Sequence, residues 1–172
     1  MKRSDHHAAY MVLDIDNFKP LNDKYGHRLG DCLLIEIANR LKKCVREVDS
    51  IARYGGDEFV VLLHELDGDL ESSKKAAASI AEKIRSNLSI PYILSTSKSS
   101  HESIVHLCTA SIGVVVFGHD TVNAQDVFDL ADAAMYESKE RGRNQVSFHP
   151  KLTKPRRLKE SREKSFITLL RD

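Results

Sequence analysis

The chain has 172 residues, enough for one domain with a substantial core but not comfortably for two. Its charged residues are abundant but balanced at a formal net charge of +1, which gives no global electrostatic case for binding nucleic acid or an anionic membrane. Three cysteines are too few and too scattered for a disulfide framework or a zinc site.

No apolar stretch approaches the length of a transmembrane helix, and the first residues do not resemble a signal peptide. We therefore expect a cytoplasmic domain with reduced thiols. The domain itself should contact neither a membrane nor nucleic acid, although a parent protein could be tethered to a membrane.

The first predicted element is an apolar strand that ends in carboxylates. Residues 8–13 are apolar, and Asp14, Ile15 and Asp16 follow them. Such a run is typical of a buried strand, and ligands commonly bind at the carboxyl ends of strands in α/β sheets. An acidic cluster is also typical of a solvated turn, so this stretch alone leaves both interpretations open.

A helix start follows directly after this strand. Asn17 is a candidate cap, which would place Pro20 in the first turn, where its missing N–H matters least. The unpaired amides and positive dipole end of such a helix attract phosphate, and Lys19 would add a full positive charge. Beyond Gly26, apolar residues at helical spacing predict a longer amphipathic helix that lies on a sheet.

The most informative stretch is a pair of glycines, Gly55 and Gly56, between two apolar β-prone runs, which predicts a β-hairpin. Asp57 and Glu58 follow the glycines. Successive strand side chains point to opposite faces, so we expect one acid to bind a cation and the other to accept a proton or bind a second cation. Together with Asp14 they would form an oxygen-rich pocket suited to Mg²⁺, which favours a few carboxylates plus substrate phosphates.

The remaining predicted elements alternate between helix and strand. In chain order they are a helix over 72–88, a loop or exposed hairpin over 92–103, a central strand over 109–116, a helix from Asn123 or Ala124 to a stop at Gly142, and a short strand over 146–148. This alternation predicts an α/β fold, an α+β sandwich in which helices flank a mixed sheet and the glycine hairpin lies at its centre.

The composition changes near the end of the chain. From residue 151 the sequence is basic and polar, and it closes with an apolar stretch over 166–170. We assign residues 1–149 to the folded domain and residues 150–172 to a basic linker and helix that lead toward a possible downstream domain.

These residues resemble one family, the GGDEF domain of diguanylate cyclases. The pentapeptide from Gly55 to Phe59 is the motif that names the family. Three further blocks match in order and spacing, over residues 14–31, 111–113 and 131–144. The similarity runs from about Ala8 to about Phe148.

The resemblance implies a mixed-sheet palm of the nucleotide-cyclase, ferredoxin-like kind, and it implies a reaction. Family members condense two GTP molecules into cyclic di-GMP and release two pyrophosphates. Each domain of a homodimer holds one GTP, and each 3′-hydroxyl attacks the α-phosphorus of the other nucleotide. The implied cofactor is Mg²⁺ or Mn²⁺.

The same resemblance assigns roles to the acidic residues. Asp14, the backbone carbonyl of Ile15, and Asp57 would hold the metal. Glu58 would bind a second metal or take the hydroxyl proton, so Asp57 and Glu58 are the implied catalytic residues.

The resemblance also implies two sets of substrate contacts. Asn22 and Asp31 would hydrogen-bond guanine, since a carboxylate can accept from both N1–H and the exocyclic amine, a pair that adenine lacks. The phosphate contacts would come from the amides of Asn17 and Phe18 and from the side chains of Lys19, Lys139 and Arg143.

A product-inhibition site, Arg-x-x-Asp, is frequent in the family at a set step before the glycine pair. Arg46 and Asp49 occupy that step here. Arginine suits this role because its planar fork engages guanine edges and phosphate together.

Two departures from the family pattern concern the ends of the sequence. The Asp-x-Leu-Thr-Gly-Leu-x-Asn-Arg segment and the helix that usually precede the first strand are not present here, which suggests a domain taken from a larger protein with a sensor upstream. The tail after His149 weakly resembles linkers that lead into an EAL phosphodiesterase domain.

An active diguanylate cyclase domain is therefore the first hypothesis, because every assigned side chain is present. The alternative is a catalytically silent module that binds GTP or cyclic di-GMP and controls an attached domain such as an EAL phosphodiesterase. A different nucleotide cyclase is disfavoured by the complete pentapeptide and by Asp31.

Overall fold

The computed structural model describes residues 6–66, 69–95, 103–118 and 123–150. The elements in these ranges are β1 (His7–Asp16), α1 (Phe18–Tyr25), α2 (His27–Cys44), β2 (Ser50–Gly55), β3 (Glu58–Leu66), α3 (Leu70–Leu88), β4 (Tyr92–Leu94), β5 (Ile104–His106), β6 (Thr109–Gly118), α4 (Ala124–Glu140) and β7 (Val146–Phe148). The predicted tail, residues 151–172, lies outside the described residues.

Five strands form a mixed sheet in the order β2-β3-β1-β6-β7. The β1–β3, β1–β6 and β2–β3 pairs are antiparallel, whereas β6 and β7 are parallel. The predicted mixed sheet with flanking helices is therefore confirmed. The expected central place of the glycine hairpin is corrected, because β2 and β3 form one side of the sheet and β1 lies in the middle.

Helices cover both faces of β1, which explains why this strand is apolar throughout instead of alternating. Its odd-numbered residues, such as Met11 and Leu13, pack in a core that includes residues of α2 and α3. Its even-numbered residues Tyr10 and Val12 pack against α4. Odd-numbered residues of β1 therefore face α2 and α3, and even-numbered residues face α4. Asp14 is even-numbered and lies on the face that α4 covers.

Close backbone contact fixes the position of α4 on the sheet. A Cβ built at Gly113 of β6 would lie 2.0 Å from the Ala131 carbonyl oxygen and 2.2 Å from the Met135 amide nitrogen. Only a residue without a side chain permits this approach. One turn beyond Met135, Ser138 Oγ donates to the Ile112 carbonyl at 2.9 Å, so the C-terminal part of α4 is held on the strand next to β1.

The β-prone stretch after residue 103 forms two strands. β5 pairs with β4 in a separate two-stranded sheet, and only β6 joins the main sheet. The alternative of an exposed hairpin over 92–103 is thus partly realised, while residues 96–102 lie outside the described ranges. None of the helices described combines the length and apolar character that a membrane span requires.

Candidate active site

The register of β1 and β3 brings the predicted acidic residues together. Asp14 lies directly opposite Glu58 in this antiparallel pair, and opposed residues point to the same face of a sheet. Asp57 lies in the turn just before β3, where its carbonyl accepts a hydrogen bond from the Ile15 amide at 3.1 Å. The ends of two strands that are distant in sequence therefore form one acidic cluster.

Helix α4 supplies a cation to this cluster. Lys139 Nζ lies 2.7 Å from Asp14 Oδ2, and the Asp14 residue is only 8% exposed. Asp132 lies two helical turns before Lys139 and acts electrostatically on Glu58. Acidic residues from β1, the hairpin and α4 thus converge around one lysine.

The crowding of negative charge raises two carboxyl pKa values. Burial raises the pKa of Asp14 above its ordinary value and Asp57 adds to this effect, although the hydrogen-bonded Lys139 opposes it. Burial also raises the pKa of Glu58, and the charges of Asp14, Asp132 and Asp57 contribute in that order. A further positive charge in this cluster would relieve the repulsion.

A divalent cation fits the donors of this cluster. Within the described ranges, no three His, Cys, Asp or Glu side chains form a ready-made metal cage. Mg²⁺ needs none, since it usually binds one or two carboxylates and completes its shell with water and substrate phosphates. The Ile15 amide bonds the Asp57 carbonyl, and the N–H and C=O of a strand residue point to the same side, so the Ile15 carbonyl also faces the hairpin.

The start of α1 follows the acidic end of β1 immediately. Asn17 has φ 58° and ψ 32°, a left-handed conformation that asparagine tolerates, and its side chain does not cap the helix. The first-turn amides of α1 therefore have no side-chain cap from Asn17. Phe18 is buried and Lys19 is exposed, so the lysine is accessible to an anion at this helix end.

The predicted guanine contacts come from α1 and α2. The Asn22 side chain packs against Gly30, where an added Cβ would lie 1.8 Å from Asn22 Oδ1. That oxygen is buried and has no hydrogen-bond partner among the residues described. Asn22 as a whole is half-buried, so part of its side chain is open to a ligand at the α1–α2 contact.

Asp31, the neighbour of Gly30, is exposed and lines a cavity of about 400 Å³ between α2 and the hairpin. Leu34, Ala38, Ile51 and Phe59 supply apolar walls. Lys42 and Arg53 add positive charge to the lining, which comes from α2, β2 and β3, so the cavity adjoins Asp31 but is not formed by α1.

The turn after α4 places Arg143. Gly142, Arg143 and Asn144 have positive φ values of 111°, 65° and 48°. The Arg143 amide donates to the Ser138 carbonyl at 3.0 Å, so the turn folds back over the last turn of α4. The Arg143 side chain is exposed, on the segment that directly follows Lys139.

Arg46 and Asp49 lie away from the acidic cluster, at the opposite end of the hairpin. Asp49 accepts hydrogen bonds from the Arg46 amide at 2.8 Å, from Arg46 Nη2 at 3.1 Å and from the His64 amide at 3.0 Å. The Asp49 side chain has no exposed area, whereas the Arg46 side chain is 51% exposed. Arg46 thus faces solvent while Asp49 faces the protein.

Sequence reasoning assigned no role to three residues that shape the site. Asp16 is buried and hydrogen-bonded to β6, Asp132 acts on Glu58, and Arg53 Nε donates to the Gly56 carbonyl at 2.8 Å across the hairpin turn. The seven-residue spacing of Asp132 and Lys139 on one helical face was a signal available in the sequence. Nothing in the sequence separates the role of Asp16 from that of Asp14.

Comparisons with known proteins point to one family. The family model "Diguanylate cyclase, GGDEF domain" matches residues 1–145. The chain is similar to the bifunctional diguanylate cyclase/cyclic di-GMP phosphodiesterase MucR of Pseudomonas aeruginosa, with 43% identity over 147 residues that cover 85% of this chain and 19% of MucR. The chain spans between 19% and 34% of the length of the first three curated relatives that it matches.

Two solved structures share the fold at similar identity. The GGDEF domain of YfiN from Pseudomonas aeruginosa has a TM-score of 0.72 and 31% identity, covering 84% of this chain and 83% of that domain. The GGDEF domain of DgcB from Caulobacter crescentus, solved in complex with c-di-GMP, has a TM-score of 0.71 and 30% identity, covering 85% of this chain and 80% of that one.

Proposed function

The chain belongs to the GGDEF domain family of diguanylate cyclases, and we propose that it is a catalytic domain that condenses two GTP molecules into cyclic di-GMP. The observation that carries this proposal is the meeting of Asp14, Asp57 and Glu58 at one edge of the sheet, beside Lys139. We propose the cytoplasm as the cellular location of this domain, since GTP is available there.

In the proposed reaction, each 3′-hydroxyl oxygen forms a bond to the α-phosphorus of the other GTP. The bond from that phosphorus to the bridging oxygen breaks, and pyrophosphate leaves. Glu58 would take the hydroxyl proton, and its raised pKa, which brings it closer to the range of a useful base, supports this role.

A divalent cation, Mg²⁺ or Mn²⁺, would neutralise charge on the phosphates when bound. We propose that Asp14, the Ile15 carbonyl and Asp57 hold it, with Glu58 as a ligand to a second ion if one binds. Lys139 neutralises Asp14 in the present structure, so the lysine would turn toward the phosphates on nucleotide binding.

We assign substrate binding to two groups of residues on either side of the acidic cluster. Asn22 and Asp31 would bind guanine at the contact between α1 and α2, supported by the packing of Asn22 against Gly30 and by the exposure of the adjacent Asp31. The phosphates would be held by the amides of Asn17 and Phe18 and by Lys19, Lys139 and Arg143.

Catalysis in this scheme requires two domains face to face, since one domain supplies one nucleotide. We therefore propose a homodimer as the active form, and further domains in the parent protein. The name of the similar protein MucR describes a cyclase joined to a phosphodiesterase, and an EAL/GGDEF domain protein is among the solved structures that resemble this chain.

We also propose that cyclic di-GMP inhibits the enzyme by binding at Arg46. Arg46 is exposed, and its guanidinium is anchored by Asp49. In this arrangement Asp49 acts by orienting Arg46.

Turnover of GTP tests the proposed function. The intact chain, fused to a dimerising helix and supplied with GTP and Mg²⁺, should yield cyclic di-GMP by chromatography. Asp57→Ala should abolish the product, whereas Glu36→Ala, which removes an exposed carboxylate on α2, should leave turnover unchanged. Binding of GTP without any product would contradict the enzyme assignment and support the regulatory alternative.

A further inference from the structure

Asp16 differs from Asp14 in what its carboxylate contacts. The two residues are two positions apart on β1 and share a face of the sheet. Asp16 is only 2% exposed. Its Oδ1 accepts from Ser111 Oγ at 2.7 Å, and its Oδ2 accepts from Thr109 Oγ1 at 2.6 Å and from the Asn144 amide at 3.1 Å.

The Asn144 amide belongs to the left-handed turn after α4. This turn is held from a second side, because Asn144 Oδ1 accepts from Arg85 Nη1 at 2.7 Å and from Ser89 Oγ at 3.3 Å. Asn144 therefore joins the end of β1 to α3. Without the bond to Asp16, the turn would keep its tether to α3 but lose its tether to the acidic strand.

Arg143 lies between the two anchored points of this turn. Its amide bonds the Ser138 carbonyl, and the next amide bonds Asp16. Its guanidinium makes no hydrogen bond or ion pair to any residue that the structure describes. The position of the Arg143 side chain therefore depends on where the backbone of the turn is held. Asp16 thereby fixes the start of the Arg143 side chain relative to the end of β1, two residues from Asp14.

We propose that Asp16 is a positioning residue that holds the Arg143 turn so that the arginine reaches the phosphates of a nucleotide bound at Asp14. This inference rests on the proposed function, because it needs a nucleotide with phosphates at that position. The three donors occupy three of the roughly four lone-pair positions of the carboxylate, so a metal could use only the one left on Oδ1 of this buried residue.

Asparagine at position 16 separates these two roles. Its amide oxygen can replace Oδ2 and accept from Thr109 and Asn144, and its amide nitrogen can donate to the Ser111 hydroxyl. The positioning role therefore predicts that Asp16→Asn keeps phosphate recognition. A metal-ligand role predicts that the loss of charge is as damaging as Asp16→Ala.

The test uses calorimetry in Mg²⁺ to compare binding of GTP and of guanosine to the dimerised full chain. GTP is supplied here as 3′-deoxy-GTP, which keeps all three phosphates but lacks the attacking hydroxyl, so that binding is measured without turnover. Asp16→Ala should weaken GTP binding about tenfold or more and leave guanosine binding unchanged, because only the phosphate contacts are disturbed. Arg143→Ala should cause a similar loss, and the double variant should lose little more than either single variant. Asp16→Asn should bind GTP like the wild type.

The proposal is overturned by equal losses for GTP and guanosine, by additive losses in the double variant, or by an Asp16→Asn variant as weak as Asp16→Ala. A wild type that binds GTP no better than guanosine would instead reject the proposed nucleotide site, so the two failures are distinct.

Exchange of the Asn144 amide proton gives a readout independent of nucleotide. It should be protected in the wild type and in Asp16→Asn, and exposed in Asp16→Ala; unchanged protection in Asp16→Ala would also overturn the proposal. If Asp16→Ala does not fold, Thr109→Val removes one donor to Oδ2 and Ser111→Ala removes the donor to Oδ1. Thr109 donates to Oδ2, the same oxygen that accepts from the Asn144 amide, whereas Ser111 donates to Oδ1. The proposal then requires a larger loss of GTP affinity in Thr109→Val than in Ser111→Ala, and the reverse order overturns it.

Discussion

Glu58 lies among three other carboxylates, and this crowding makes its negative charge unfavourable in the folded protein. Burial and the charges of Asp14, Asp132 and Asp57 raise its pKa above the ordinary value of 4.5. A folded-state pKa above the unfolded value means that ionised Glu58 destabilises the fold. The cost is fully present above the raised pKa and disappears below pH 4.5.

Replacing Glu58 with glutamine should therefore separate stability from activity. In EDTA at neutral pH, Glu58→Gln should raise the melting temperature by about 1–3 °C, a small shift because the site is partly exposed and solvent screens the charges. Turnover should fall by at least about 10²-fold, the scale of a lost general base.

Thermal unfolding and product assays across pH check this prediction, with Glu36→Gln as the matched surface control. The stability difference between Glu58→Gln and the wild type should shrink as pH falls toward 4.5. A wild type that is the more stable of the two in EDTA at neutral pH would contradict the account of Glu58.

A substitution at Gly30 should likewise separate an effect on substrate binding from an effect on stability. Alanine usually stabilises a helix interior by about 1 kcal/mol relative to glycine. Here the new Cβ would displace the Asn22 amide oxygen, which lies 1.8 Å from the Cβ position. Asn22 is a flexible side chain that can turn away, so the fold should survive while the guanine contact is lost.

We expect Gly30→Ala to raise KM for GTP about tenfold with kcat little changed, as the loss of about one hydrogen bond implies. Steady-state kinetics and thermal unfolding measure the two effects. Asn22→Ala is the matched variant, and combining both changes should add little. A Gly30→Ala enzyme with wild-type KM would show that the Asn22 side chain does not contact guanine.

At the scale of elements, periodicity predicted most strands and helices but not the order of strands in the sheet. The glycine pair marked the β2–β3 hairpin correctly, yet local sequence cannot show that β1 pairs with β3 on one side and β6 on the other. The β-prone run after residue 103 likewise predicted strand but not its division into β5 and β6, which depends on the partner that each part finds.

For the candidate site as well, the sequence indicated individual residues but not how the fold arranges them. Family resemblance named Asp14, Asp57 and Glu58, and the strand register explains how they meet. Local sequence could not distinguish Asp16 from Asp14, because the contacts of Asp16 depend on its pairing with β6. The spacing of Asp132 and Lys139 was visible in the sequence, but the effect of Asp132 on Glu58 depends on where α4 crosses the sheet.

The turn that joins α2 to β2 should control product inhibition. Burial alone would raise the pKa of Asp49, but hydrogen bonds from Arg46 and His64 together hold it below its ordinary value. The ionised Asp49 thus anchors the exposed Arg46 guanidinium at a defined place.

Arg46→Ala should therefore relieve inhibition by added cyclic di-GMP and leave uninhibited turnover unchanged. Initial rates at increasing product concentration measure this effect. Lys43→Ala, which removes a neighbouring exposed positive charge at the end of α2, is the control and should remain inhibited. Equal inhibition of the wild type and Arg46→Ala would place the inhibitory site elsewhere.

At the scale of the whole molecule, the fold joins two kinds of recognition at the C-terminal end of β1. The α1–α2 contact offers a place for a base, and the meeting of β1, the hairpin and α4 offers a place for phosphates and a cation. Both depend on β1, since α1 begins two residues after its last acid. Since we propose one such site in each domain, the proposed condensation of two nucleotides would require a second copy that faces the first.

The most direct test of the account is the position of the cation. Crystals of the protein with Mn²⁺ and a non-hydrolysable GTP analogue should give an anomalous peak bound by carboxylate oxygens of both Asp14 and Asp57, at about 2.1 Å as for hard divalent ions. Lys139 should then contact phosphate instead of Asp14. A nucleotide-bound structure whose metal lies away from either carboxylate would contradict the proposed active site.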